Sequence, residues 1–367
     1  MNVAPVLPVI AQTNVNELTL LTVTNTAIES NIHSTLGYAL INPPAGMSIN
    51  ASGIIAWTPS QAQSPGTNVI TTVVTNTDSF DTINPHLSAT NTFTVIVKEV
   101  NVAPALPTIT TQTVNELTLL TVTNTASESN IHSTNTGYAL ISHPAGMSIN
   151  ANGIITWTPT EAQGPSTNVI TTVVTNSDSF DAVNPHLTAT NSFTVIVNEV
   201  NVAPVLGSLG NQTVNPGQTI SFTATATDSD LPTNILTFTL VSPPAGAIIN
   251  SISGLFNWRT TVAQSNTTNV VQVRVTDNGT PNLSDTKSFN VIVNPLSPVI
   301  LTPVSYTNGQ FKLQVSGTTG PDYIISASGT LTSWIDLVTN LSPATPFQFT
   351  DTNAPSTNRF YRARLSP

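Results

Sequence analysis

The chain has 367 residues, 18 acids against 8 bases, a formal net charge of −10 and no cysteine. That balance leaves no basic footprint for nucleic acid, and the missing thiols exclude disulfides, Cys-ligated zinc and thiol catalysis. Only 7% of residues are charged while 39% are hydrophobic, so the polar surface must come from Thr, Asn and Ser, on a chain too apolar to be disordered from end to end.

The opening Met1-Asn2-Val3-Ala4-Pro5 has neither the basic stretch nor the apolar core of a signal peptide. No apolar run approaches the roughly 20 residues of a membrane span. The string Asn-Val-Ala-Pro returns at 101–104 and 201–204, which makes it a junction between repeats. The expectation is that Met1 is an added or fragmentary start, with upstream repeats and any leader outside this piece.

Aligned on itself, the chain repeats with a period of about 100 residues. Residues 2–100 and 101–200 match at about four positions in five, and 201–294 form a more distant third copy. A solenoid repeat is shorter and cannot fold alone, whereas this period suits a self-contained β-sandwich. Within each copy the segments rich in Val, Ile, Thr and Phe predict strands, as at 69–74, 92–97 and 270–275. Pro, Gly, Asn and Ser clusters between them predict turns. Around Ala51-Ser52-Gly53 two short strands should form a tight hairpin, and no stretch keeps a helical period over three turns. Trp57, Trp157 and Trp258 recur at one position and are read as the large core residue of each sandwich. After Pro295 the pattern changes. Strands expected at 311–315, 323–327, 347–349 and 360–365 make a smaller fourth β domain carrying Trp334. The predicted fold is all-β, with Ig/cadherin-like sandwiches at 1–100, 101–200 and 201–295 and a C-terminal β domain at 296–367, arranged as an extended rod.

The charge imbalance belongs to the first two repeats. Residues 1–200 hold eleven acids and one base, Lys98, while 201–367 hold seven of each. The second repeat has no Lys or Arg at all, so its carboxylates are either solvated or bound to a cation. Glu29 and Asn31 share one loop, and Asp78 and Asp81 another; the equivalents are Glu128, Asn130, Asp178 and Asp181, then Asp228, Asp230 and Asp277. In an Ig-type sandwich these two loops meet at one end, where the incoming junction also arrives. Converging hard oxygen ligands suit Ca²⁺.

At these residues the chain resembles cadherin-like domains, and more narrowly the dystroglycan-type cadherin-like and putative-Ig repeats of bacterial surface and secreted proteins. The junction Glu199-Val200-Asn201-Val202-Ala203-Pro204, the pair Asp228 and Asp230, and Asp277-Asn278-Gly279-Thr280-Pro281 carry the likeness. So do Gly254–Trp258 and its copies Gly53–Trp57 and Gly153–Trp157. Cadherin repeats bind calcium between successive domains. The resemblance therefore implies ligands Glu116, Glu199, Asn201, Asp228, Asp230 and Asp277 at the junction of repeats two and three, with Glu161 as a looser candidate. It implies a weaker or absent site at the first junction, from Glu17, Glu99, Asn101, Glu128 and Asn130. There the DxD has become Glu-Ser-Asn, and Asn76 or Asn176 stands opposite Asp277. The competing reading is that these are solvated turn acids left from a calcium-binding ancestor. The C-terminal segment, with Leu331-Thr332-Ser333-Trp334 and Phe360-Tyr361-Arg362-Ala363-Arg364, resembles a module that ends exported proteins of verrucomicrobial and planctomycete-like bacteria. Its arginines 359, 362 and 364 are read as solvent-facing strand residues.

No G-x-S-x-G, H-E-x-x-H or phosphate-cradling G-x-x-x-x-G-K occurs. All five His (33, 86, 132, 143 and 186) lie in the first two repeats, and four form matched pairs. A His₂ site with Glu29 and Asp81 is the weaker reading beside turn-capping His. Lys–Asn crosslinks cannot be general in a chain whose second repeat lacks Lys. The expectation is a non-catalytic extracellular or cell-surface module for structure or adhesion, stiffened by calcium at its junctions. Its partner would be a protein or glycan surface ligand, with homotypic association among the options and no nucleic acid. Alternatives are an accessory spacer or carbohydrate-binding region of a larger secreted polysaccharide-acting enzyme, and a subunit of an extracellular filament.

Overall fold

The computed structural model describes residues 1–355 and 358–366; Ser356, Thr357 and Pro367, which belong to the expected C-terminal domain, lie outside the described residues. Two compact units are present, the first running from Met1 to Asn198 and the second starting at Glu199.

The first unit holds two sandwiches of the same design. In repeat one the strands are β1 (Thr13–Asn16), β2 (Leu21–Thr24), β3 (Ser34–Ile41), β4 (Ser48–Ile49), β5 (Ile54–Trp57), β6 (Gly66–Asp78) and β7 (His86–Lys98). One sheet has the order β1-β7-β6-β3 and the other β2-β5-β4. The long pair β6 and β7 is antiparallel, whereas β1 runs parallel to β7 in the register Thr13↔Val95 to Asn16↔Lys98. Alternation explains the layering. Ile70, Thr72, Val74, Phe93, Val95 and Val97 point inward and are buried, while Thr71, Val73, Thr94 and Ile96 between them face outward. Trp57 fills the centre, against Leu21, Ile55 and Phe93, and its indole Nε1 donates to the Ala45 carbonyl of the Pro-Ala-Gly turn at 3.1 Å. The β4–β5 hairpin closes at Gly53, where φ is +73° and a Cβ would sit 2.8 Å from both the Asn25 carbonyl and the Tyr38 ring. Repeat two repeats this plan around Trp157.

Repeats one and two differ from the third in one buried feature. In repeat two, Asn124 Nδ2 donates to Thr172 Oγ1 at 2.7 Å, and Thr172 Oγ1 donates to Asn191 Oδ1 at 2.5 Å. Asn124 and Thr172 are fully buried. Their partners by register in repeat three are Ala224, Val273 and Lys287, so an apolar pair replaces the network.

The second unit contains the third sandwich, built around Trp258 with Phe256, Phe289 and Val273, and the C-terminal domain. The latter packs the sheet of Ile300–Thr307, Gln310–Ser316 and Phe347–Asp351 against that of Ile335–Asn340, Asp322–Ser328 and Phe360–Ser366. Its core is Val315, Tyr323 and Ile325. Two of these strands were not expected from sequence. Ile300–Thr307 contains Pro303, which an edge strand tolerates, and the ladder slips its register there, between Pro303 and Ser305. The other, Ile335–Asn340, is broken in register between Ile325 and Ser326 of its neighbour. Among the described residues no helix is long and apolar enough to cross a membrane.

Candidate functional site

The acidic loops do meet at one end of each sandwich, and the recurring junction asparagine organises them. In repeat one the backbone N–H of Asn2 donates to Asp81 Oδ2 at 2.7 Å. The amides of Asn84 and Ile83 add two bonds of 3.0 Å to Asp81 Oδ1. These donors, Asn2 first, hold the Asp81 carboxyl down at about 2. Asn2 and Asn76 exchange side-chain bonds of 2.9 and 2.8 Å, and Asn76 Nδ2 also donates to Glu29 Oε2 at 2.9 Å. Asn31 Nδ2 reaches Asp78 Oδ2 at 2.5 Å. His33 lies against the Phe80 ring and His86 against the Thr77 hydroxyl, and among the described residues neither joins a group of three potential metal ligands.

The same arrangement at the start of repeat two is where repeat one comes to rest. Asn101 N–H donates to Asp181 at 2.9 Å, and its side chain bonds Asn176 at 3.1 Å. Ser133 Oγ donates to Asn101 Oδ1 at 2.7 Å. Asn130 Nδ2 lies among three oxygens: Glu99 Oε1 at 2.9 Å, the Val100 carbonyl at 3.0 Å and Asp178 Oδ2 at 3.3 Å. Glu17, which follows β1, turns into this region and is only 4% exposed, as Glu99 is 5%. Burial first, and then the charge of Glu99, push the Glu17 carboxyl up to about 7; Ser64 and His132 oppose this too weakly to restore it. His132 Nε2 stands 3.8 Å from Glu99 Oε2 and 3.2 Å from the Gln61 carbonyl of repeat one. Burial also raises the Glu128 carboxyl, with the Asn176 amide pulling the other way. Among the described residues no donor meets Glu17 Oε2, Glu99 Oε2 or Glu128 Oε1 in hydrogen-bonding geometry. Carboxylate oxygens that are buried and lack donors fit a hard cation better than they fit an apolar or purely amide environment.

At the far end of repeat two, Glu116 follows the strand Gln112–Asn115 and is buried, its N–H donating to the Asn198 carbonyl at 3.0 Å. Gly164 leaves room for it, because a Cβ there would lie 2.2 Å from Glu116 Oε2. Glu161 opens the 3₁₀ turn Glu161–Gln163.

In the second unit Asn201 gathers the third repeat's acids. Its Nδ2 donates to Asp277 Oδ2 at 3.1 Å, and Val202 N–H donates to Asp230 Oδ2 at 3.0 Å. Asn234 Nδ2 joins Asp230 Oδ2 at 2.8 Å and Asn201 Oδ1 at 2.9 Å. Asp228 Oδ1 accepts from Asp230 N–H at 3.1 Å, whereas its buried Oδ2 meets no donor among the described residues. A cleft of about 270 Å³ lies here, lined by Glu199, Asn201, Pro232, Asn234, Gly279 and Thr280. Sequence reasoning missed Asn234 and Ser64, and read His132 as a turn residue without placing it beside Glu99. None sits in a motif, and only the fold brings them to the acids.

The family described as Putative Ig domain matches residues 3–98 and 203–294, more than half of the chain. Among solved structures, mouse cadherin-23 EC22-24 is similar at 19% identity over 80% of this chain and 99% of that one, with a TM-score of 0.41. Human CDH23 EC21-23 is similar at 16% identity over 79% of this chain and 100% of that one, with a TM-score of 0.42. Drosophila N-cadherin EC1-4 follows at 14% identity, 79% and 75% coverage and a TM-score of 0.37. None of the curated proteins matches.

Proposed function

This chain belongs to the Putative Ig domain family, and we propose that it is a non-catalytic extracellular module for structure or adhesion, of the dystroglycan-type kind found on exported bacterial proteins, whose repeat ends take up calcium. The observation that carries the calcium reading is the Glu17–Glu99 pair: two buried carboxyls side by side, with oxygens that no donor meets among the described residues. At the first junction Glu17, Glu99, Asn101, Glu128 and Asn130 would hold the ion. Glu116 and Glu161 would serve at the far end of repeat two. In the second unit the holders would be Glu199, Asn201, Asp228, Asp230 and Asp277. Calcium supplies two positive charges and accepts six to eight oxygens without demanding a rigid geometry. What the chain supplies is the cradle: Asp81 and Asp181 pin the incoming backbone, and the asparagines hold the acids in register before any ion arrives. The partner is a surface protein or glycan, or another copy of the chain.

The test is a melting experiment on the full chain together with aggregation of beads coated with it, each in millimolar calcium and in chelator. A ligand that binds only the folded form raises the melting temperature by mass action, and Asp228→Ala removes the gain contributed by the third repeat. Identical transitions in calcium and chelator would falsify the metal reading. Beads that stay dispersed in both media, alone and on protein or glycan surfaces, would remove the adhesive one.

A further inference from the structure

The acids of the first two repeats crowd at the sandwich ends, which leaves the broad faces to be explained. The outward side of β6 and β7 shows Thr71, Val73, Thr75, Ser88, Thr90 and Thr92, all exposed or half-exposed. On the paired strands Thr71 stands opposite Thr92, Val73 opposite Thr90 and Thr75 opposite Ser88, the last two hydroxyls 2.8 Å apart. Repeat two shows the same face, with Thr171 opposite Ser192 at 2.9 Å and Val173 opposite Thr190. The single charge on these faces is Lys98, at the last position of β7. Apart from the His86 imidazole at the first position of β7, no aromatic ring projects from these strands to stack on a sugar, and there is no basic stripe for phosphate.

We propose that the outer faces of the four-stranded sheets in repeats one and two bind the same faces of a second copy of this chain. This rests on the adhesive reading above and locates its homotypic surface. The argument is complementarity. A Thr hydroxyl is both donor and acceptor and its methyl is apolar, so a face made of Thr, Ser and Val is matched by an identical face, as an isologous contact requires. A net-negative chain meets its own copy without repulsion only where its acids are absent. At about 4.8 Å between strands and 3.3 Å per residue, the three long strands span roughly 500 Å² in each repeat. Each face is thus more than half of the approximately 800 Å² per partner of a standard interface, and the chain carries two of them. Repeat three marks the limit of the surface, because Arg274 takes the register position of Val73 and Val173 there and would face its own like charge in a symmetric pair.

Repeat three also shows that this strand position accepts arginine, so the test is Val73→Arg with Val173→Arg in the full chain. Thr90→Lys with Thr190→Lys, at exposed facing positions, serves as the second variant. Sedimentation over a concentration series should show the parent chain self-associating and both double variants weakened by about tenfold or more, as a desolvated like-charge contact requires, with unchanged melting temperatures. A parent chain that stays monomeric up to millimolar concentration overturns the proposal, and so does undiminished association of the Thr90/Thr190 variant. In either case the calcium melting experiment still reads independently. Beads that aggregate equally with parent and variant proteins would keep the adhesive function and place it on another surface.

Discussion

Arg259, at the end of the third repeat's Trp258 strand, holds Asp322 of the C-terminal domain through an Nη2–Oδ1 contact of 2.7 Å. The same guanidinium donates from Nε to the Gly217 carbonyl at 2.8 Å and from Nη2 to Ser342 Oγ at 3.0 Å. Gly217 and Gly320 lie so close that a Cβ on Gly217 would meet the Gly320 carbonyl at 2.5 Å. Repeats one and two have Thr58 and Thr158 where repeat three has Arg259, so this joint is made with a protein cation where the joint of repeats one and two gathers acids.

Arg259→Ala is therefore expected to destabilise the second unit by about 2 kcal/mol, the usual worth of bonds to a charged group, by chemical denaturation. Arg259→Lys should recover little of it, since an ammonium cannot reproduce the three-way fork. Calcium should not change either result. Burial works to raise the Asp322 carboxyl, but the bonds from Arg259 and the Ser342 amide outweigh it and leave it below its usual value. Its contribution is thus present above the ordinary Asp range and is lost as pH falls through the lowered value. Arg259→Ala should flatten that acid limb.

Glu17 predicts the opposite slope. Its carboxyl is raised from 4.5 to about 7 in the folded chain, so the folded state holds the proton more tightly than the unfolded one. In chelator, the stability contributed by this group is full below the unfolded value and lost as pH rises through the folded one, by about 3 kcal/mol in all. Glu17→Gln should abolish this dependence between pH 5 and 8. Denaturation midpoints across that range measure it, and a parent profile as flat as the variant's would refute the buried-pair description.

The buried amide network of repeat two makes a non-additive prediction. Asn124→Ala alone strips Thr172 of a donor and should cost about 1–3 kcal/mol. Adding Thr172→Val should recover part of the loss, because Ala224 and Val273 occupy those positions in repeat three without strain. A double variant less stable than the sum of the two single ones would show that the network is not a unit.

Trp57→Ala should cost about 3–5 kcal/mol, the range for emptying a large buried site. Because Trp57 is 1% exposed and its indole also holds the Ala45 carbonyl, the loss should appear in repeat one's transition, by calorimetry.

Much of this was legible in the chain. The recurrence of Trp57, Trp157 and Trp258 predicts one core residue per sandwich, and all three are buried. The alternation in Phe93-Thr94-Val95-Ile96-Val97 predicts a strand with one face inward, and β7 has that pattern. The Ig-type sandwich expected for each repeat brings the loops of Glu29 and Asp78 to one end, and Asn31 and Asp78 do meet. Other features were hidden because they depend on register or close approach across the fold. Pro303 reads as a stop, yet an edge position spares its missing N–H. Glu161 and Gln61 occupy one position, but only the fold shows that the carbonyl of Gln61 is what His132 touches. Asn234 lies four residues beyond Asp230 with no motif around it, and a loop return alone brings it to both Asp230 and Asn201.

The parallel pairing of β1 with β7 has a consequence under tension. The chain enters each sandwich through the first of these strands and leaves through the last, so pulling on the two ends drags them past one another along their length. Four register pairs, Thr13↔Val95 through Asn16↔Lys98, then carry the load in shear and must rupture together, whereas a hairpin opened from its turn would unzip one rung at a time.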